Sequence, residues 1–203
     1  LAAISSVRYS LDHPEITKKV NVEGTRNIVE ACKKISKKVK LLLISSAEVY
    51  GEPVKLPMTE EHPLQPNTPY AESKVEAEKL GLAAKEEIDV IVMHSFPHIG
   101  PKQSDAFVTA SFAQQIASIE KEGTGVMKVG NLQAKRDFTD VRDVVRGYRL
   151  VLEKGTAGEA YNLCSGKAWS IREVLDELLK QSTAKITIEQ DPSRMRPSDI
   201  PIL

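Results

Sequence analysis

The apolar run Leu41-Leu42-Leu43-Ile44 constrains this chain more than any other stretch. It follows a charged helix end and contains no polar position, so it reads as a short strand buried on both faces in a parallel sheet. A second run, Asp89-Val-Ile-Val-Met93, repeats the pattern. The stretch between them is helical in character, and strand–helix–strand is the βαβ unit of an α/β fold. The first run leads into Ser45-Ser46-Ala47-Glu48-Val49-Tyr50-Gly51. Open α/β sheets bind their ligands at the carboxyl ends of the strands, so these polar residues stand where chemistry is expected.

The helix between the runs has a clear start. Thr68-Pro69 reads as an N-cap and first helical residue, so Tyr70 opens a helix that continues through Val75 to Lys85. Tyr70 and Lys74 are then i and i+4, stacked on one face. A free phenol, with a pKa near 10, is a poor proton shuttle at neutral pH. A lysine cation one turn away favours the phenolate, so Lys74 is expected to pull Tyr70 toward the working range. A serine hydroxyl at the strand end, from Ser45 or Ser46, joined to this pair would make a carbonyl-reduction triad with Tyr70 and Lys74.

Elsewhere the periodicities are those of an ordinary α/β chain. A helix is expected from about Pro14 to Ile35, with Gly24 permitting a close helix crossing and Asn21 as a structural hydrogen-bonder. Lys33, Lys34, Lys37, Lys38 and Lys40 read as its solvated end. Residues 51–67 form a loop over the site. Further helices are expected over Phe107–Glu122, Val141–Lys154 (capped by Asp140) and Ile171–Gln181 (capped by Ser170), with strands at Met127–Gly130 and Lys185–Glu189. His94 and His98 lie at i, i+4 on a strand-to-loop segment, where side chains diverge, so no metal is expected. Cys32 and Cys164 give neither a disulfide framework nor zinc spacing. The 28 Lys+Arg balance 28 Asp+Glu, which gives no long-range field toward nucleic acid or membrane. With no membrane span and no signal-peptide pattern, a cytoplasmic protein is expected.

On the Ser46 and Tyr70-Ala-Glu-Ser-Lys74 motifs, the chain resembles the extended short-chain dehydrogenase/reductase family, of NAD-dependent epimerase/dehydratase type, which handles nucleotide sugars. Three further segments carry the resemblance: Leu1-Ala2-Ala3, Arg136-Asp137-Phe138-Thr-Asp140-Val-Arg-Asp143, and Arg196-Pro-Ser-Asp199. The resemblance implies catalysis by Ser46, Tyr70 and Lys74, with Ser46 also holding substrate. It implies cofactor contacts (NADP or NAD) from Ala2, Ala3, Tyr70, Lys74 and His98, and diphosphate contacts from Arg136 and Arg196, with Asp199 orienting the last loop. It implies a partial doubly wound, Rossmann-type parallel sheet in residues 1–95 and a small mixed α/β substrate lobe in 96–203, with segments returning to the sheet. A homodimer is implied for the complete parent. The chain departs from the family at His94, Pro97 and Lys102, where Arg, Asn and Gly are usual; Pro97 cannot offer the substrate-holding amide.

Among the family's branches the GDP-6-deoxy-D-mannose reductases are most similar, which implies NAD(P)H-dependent reduction of GDP-4-keto-6-deoxy-mannose. A dehydratase or epimerase on the same scaffold is the first alternative. Glu48 stands where family dehydratases carry their base, but Ala47 replaces the usual hydroxyl or Asp before it. The second alternative is a non-catalytic nucleotide-sugar-binding remnant, because no glycine-rich phosphate loop follows a strand. The resemblance begins where the family's fourth strand ends. The expectation is therefore a fragment that alone binds no NADP(H) or NAD(H) and exposes a sheet edge.

Overall fold

The computed structural model describes residues 3–35, 39–195 and 200–203. The expected roles of Ala2, Arg196 and Asp199, and of Lys37 and Lys38, fall outside the described residues.

The chain opens with α1 (Val7–Asp12) and α2 (Pro14–Lys18), and a π turn at Lys19–Glu23 leads into α3 (Gly24–Lys33). Asn21, in that turn, is buried and exchanges hydrogen bonds with the backbone of Ile4 while donating to Ser73 Oγ. That is the structural role expected of it. Gly24 is different. A Cβ there would meet nothing within 4 Å, and the residue lines an open cleft, so the expected close crossing is absent. The close approach is made at Gly81, where a Cβ would lie 2.2 Å from Leu43 Cδ1.

Next come β1 (Lys40–Ser46), a 3-10 turn at Ala47–Tyr50, α4 (Pro69–Leu82) and β2 (Asp89–Ser95). The start of α4 is as the sequence dictates: Pro69 is in the first turn and Thr68 accepts from the Ala71 N–H. The lobe follows with β3 (His98–Ile99), α5 (Val108–Glu122), β4 (Thr124–Val129), β5 (Lys135–Asp137) and β6 (Thr139–Asp140). Then come α6 (Val141–Lys154), β7 (Ala160–Leu163), β8 (Ala168–Ser170), α7 (Ile171–Leu179) and β9 (Lys185–Gln190). Asp140 caps α6 through the Arg142 N–H, and Ser170 caps α7 in a full capping box with Glu173.

The main sheet is parallel, in the order β1-β2-β7, with Ser46 opposite Ser95 and His94 opposite Asn162. Residues Val90 to Met93 of the central strand are almost wholly buried, but in β1, at the edge of this sheet, Leu41 to Leu43 are half-buried and Ile44 is exposed, so the expected burial of that run on both faces is not met. β7 brings a lobe-side segment back to this sheet. Here α3, α4 and β2 share one core, built on Val29, Ala84, Ile88 and Val90. The lobe has its own core, where Phe112, Ile116 and Ile119 of α5 meet Met127, Val129 and Leu175. β4 and β9 pair in parallel, β5 pairs antiparallel with β8, and residues 201–203 bond to β5. Among the described residues no helix is long and apolar enough to cross a membrane.

Candidate active site

A cleft of about 1370 Å³ opens between the carboxyl end of the sheet and the lobe. It is roomy on the scale of small-molecule sites, which run to about 1,000 Å³. Ala3, Ser45, Ser46, Glu48, Tyr70, Lys74, His98 and Arg136 all line it. The sheet and helix thus bring together every expected site residue that the structure describes.

Ser46 ends β1, and its Oγ accepts from the Glu48 N–H at 3.2 Å, which fixes the turn carrying Glu48. Tyr70 is 7 % exposed, within hydrogen-bonding reach of Ser46. Burial pushes its phenol up to about 12, Ser46 opposes that rise, and the charges of Glu48 and Tyr148 add to it. This reverses the expected direction. Lys74 lies 5.8 Å from the Tyr70 ring centroid and donates to the Ile44 carbonyl at 2.8 Å. Burial lowers Lys74 itself, against the pull of Glu78, so the cation does not overcome desolvation of the phenol. At neutral pH Tyr70 holds its proton, which is the state a proton donor needs.

His98 Nδ1 meets the Phe96 carbonyl at 3.1 Å, while Gln103 donates to the His98 carbonyl at 2.9 Å. A carbonyl oxygen can only accept, so Nδ1 carries a proton. His94 points elsewhere, into the protein, 2 % exposed. Among the described residues no group of three or more His, Cys, Asp or Glu could hold a metal ion.

Arg136 is 8 % exposed, and its Nη1 donates to the carbonyls of Lys135 and Ile200 at 2.7 and 2.8 Å. It ties the last residues of the chain to β5 at the cleft wall. Asp137, its neighbour in the motif, accepts from the Ser165 and Gly166 N–H groups and so shapes a turn.

Sequence reasoning passed over Ser95 and Tyr148, whose hydroxyls meet at 2.9 Å in the cleft, with Tyr148 close enough to act on Tyr70. Only the β1–β2 register could have flagged Ser95, since it sits opposite Ser46. Arg194 was also passed over. It lines the same cleft from the 3-10 turn at Pro192–Arg194 and donates to Ser111 Oγ at 3.3 Å.

The family model of GDP-mannose 4,6 dehydratase matches residues 1–202. The chain belongs to this family. A GDP-6-deoxy-D-mannose reductase of Pseudomonas aeruginosa is 41% identical over 202 residues, covering 97% of the chain and 66% of the relative. The GDP-mannose 4,6 dehydratase of Drosophila melanogaster is 29% identical and is covered over 48% of its length, against 92% of this chain. The chain thus spans between about half and two thirds of these curated relatives. The structure of RMD from P. aeruginosa, complexed with NADPH, superposes with a TM-score of 0.90 at 37% identity, covering 100% of this chain and 69% of that one. A Streptomyces venezuelae dTDP-glucose 4,6-dehydratase with NAD bound gives 0.85 at 26% identity, with coverages of 100% and 62%. The Rossmann-type α/β expectation agrees with these neighbours.

Proposed function

We propose that the protein carrying these residues reduces a 4-keto-6-deoxy nucleotide sugar, of the GDP-4-keto-6-deoxy-mannose type, with NADPH or NADH. The observation that carries this reading is the buried, protonated Tyr70 beside Ser46 at the head of a cleft that also holds Lys74. The 41% identity to a reductase supports the choice of reaction.

Ser46 holds the keto oxygen by a hydrogen bond, and Tyr70 gives that oxygen its proton. Lys74 orients the ribose end of the cofactor and stabilises the phenolate left behind. Ala3 and His98, which line the same cleft, suit the nicotinamide end, which supplies the hydride when bound. Arg136, at the lobe wall, faces the diphosphate with permanent charge.

A dehydratase is the second reading, because Glu48 stands on the turn that Ser46 fixes and its charge reaches Tyr70. The test is Glu48→Gln, assayed in both directions by product NMR. A reductase keeps a substantial rate of NADPH oxidation with the 4-keto sugar. Conversion of GDP-mannose to a 4-keto product by the wild type, lost in Glu48→Gln, would instead assign a dehydratase.

A further inference from the structure

Beneath the triad lies a buried polar network that the proposed mechanism does not use. Glu78 follows Lys74 by one helical turn on α4 and is 5 % exposed. Its Oε1 accepts from the Ser45 hydroxyl and lies 3.3 Å from His94 Nε2 on β2. The other ring nitrogen, Nδ1, is 2.6 Å from the Tyr50 hydroxyl, which in turn is 2.7 Å from Asn162 Oδ1 on β7.

The hydrogen positions follow from counting donors. Asn162 Nδ2 donates to the Met58 carbonyl at 3.1 Å, which fixes the amide with Oδ1 toward Tyr50. Oδ1 has no proton to give, so Tyr50 spends its single hydroxyl proton on it. Tyr50 can then only accept from His94, so Nδ1 carries a proton. That leaves Nε2 facing a carboxyl oxygen at 3.3 Å, and among the described residues it has no aligned hydrogen-bond partner. Two bare acceptors at this separation, both buried, would repel. A proton between them removes the conflict.

We infer that Glu78 and His94 form a buried acid–base pair holding one proton between Oε1 and Nε2, and that Glu78, one turn from Lys74 on α4, thereby supports the Lys74 cation and positions the strand end carrying Ser46. The groups facing the pair come from every packed element. They are Lys74 on α4, Ser45 on β1, Tyr50 on the 3-10 turn, and Asn162 on β7, whose N–H is held by Glu60. Ser45 is held by Glu78 and is covalently next to Ser46, so the pair anchors the strand end that carries Ser46. Glu78 also favours the Lys74 cation that burial disfavours. The purpose served by Lys74 rests on the proposed reduction, but the pair itself does not.

The test needs neither cofactor nor substrate, so its failure is separable from failure of the reductase reading. Multiple-bond ¹⁵N spectra of the ring-labelled 203-residue wild-type chain at neutral pH report each nitrogen of His94, assigned through its contacts with Tyr50 and Asn162. The expected result is a protonated Nδ1. A bare Nε2 beside a Glu78 whose carboxyl ¹³C shift marks it as ionised would overturn the pair. In parallel, ε-¹³C-lysine spectra follow Lys74, identified by its loss in Lys74→Arg. In Glu78→Gln the Lys74 titration curve should move to lower pH. Curves that superimpose on wild type, in a folded variant, would overturn the positioning role. The histidine measurement decides alone if the variant fails to fold.

Discussion

At the scale of single residues, desolvation outweighs the nearby cation. Tyr70 has Lys74 one turn away, yet its phenol rises because burial strips the hydroxyl of water. This has a measurable consequence for stability. In the unfolded chain the phenol titrates near 10. Below that value both states hold the proton, and the contribution is intact. Between about pH 10 and about 12 the unfolded chain releases the proton first, so stability falls as pH rises. Urea unfolding across that window should show Tyr70→Phe losing less stability with pH than wild type, by on the order of 1–3 kcal/mol. Equal slopes would mean the phenol is more hydrated than its 7 % exposure implies. The residue types and spacing of Ser46, Tyr70 and Lys74 were legible in the sequence. The sign of the tyrosine shift was not, because it depends on what covers the ring. The Glu78–His94–Tyr50–Asn162 network was not legible either, since its members come from four elements that only the β1-β2-β7 order brings together. One signal was available: Glu78 continues the Tyr70, Lys74 face at i+8.

At the scale of elements, apolar runs, caps and periodicity anticipated α4 to α7 and the strands β1, β2, β4 and β9, with ends shifted by up to about three residues, but not α1 or the short strands β3, β5, β6 and β8, which are too brief to carry a period. The lesson of the two glycines is sharper. Both Gly24 and Gly81 sit in helices, and sequence alone offered no reason to separate them. Contact with β1 separates them: Gly81 sits against Leu43, whereas Gly24 faces the cleft. Gly81→Ala should therefore destabilise the chain by about 1 kcal/mol or more, because Leu43 must move. Gly24→Ala should stabilise it by up to about 1 kcal/mol, the ordinary helix preference for alanine. Urea denaturation midpoints with unchanged slopes would check both signs. Equal effects would show that the α4–β1 packing is looser than the structure has it.

At the scale of the whole molecule, the site is a cleft lined by the carboxyl end of the main sheet, by α4 and by later segments of the chain. Arg136, on its wall, ties β5 to the last described residues of the chain through its bonds to the carbonyls of Lys135 and Ile200. Arg136→Lys keeps the charge but loses the planar fork. It should cost about 1–3 kcal/mol in stability, as a charge-assisted bond to a buried carbonyl is lost. If the same guanidinium meets the diphosphate, calorimetry should also show weaker GDP binding. Lost stability with unchanged GDP affinity would assign Arg136 to the fold alone.

The central claim is that Tyr70 supplies the proton in carbonyl reduction. Its most direct test is steady-state turnover of GDP-4-keto-6-deoxy-mannose with NADPH by the protein carrying these residues, as wild type and as Tyr70→Phe. The account predicts that kcat falls by about 10²-fold or more while KM changes little, since the hydroxyl acts mainly in the transition state. A folded variant with near-normal kcat would contradict it.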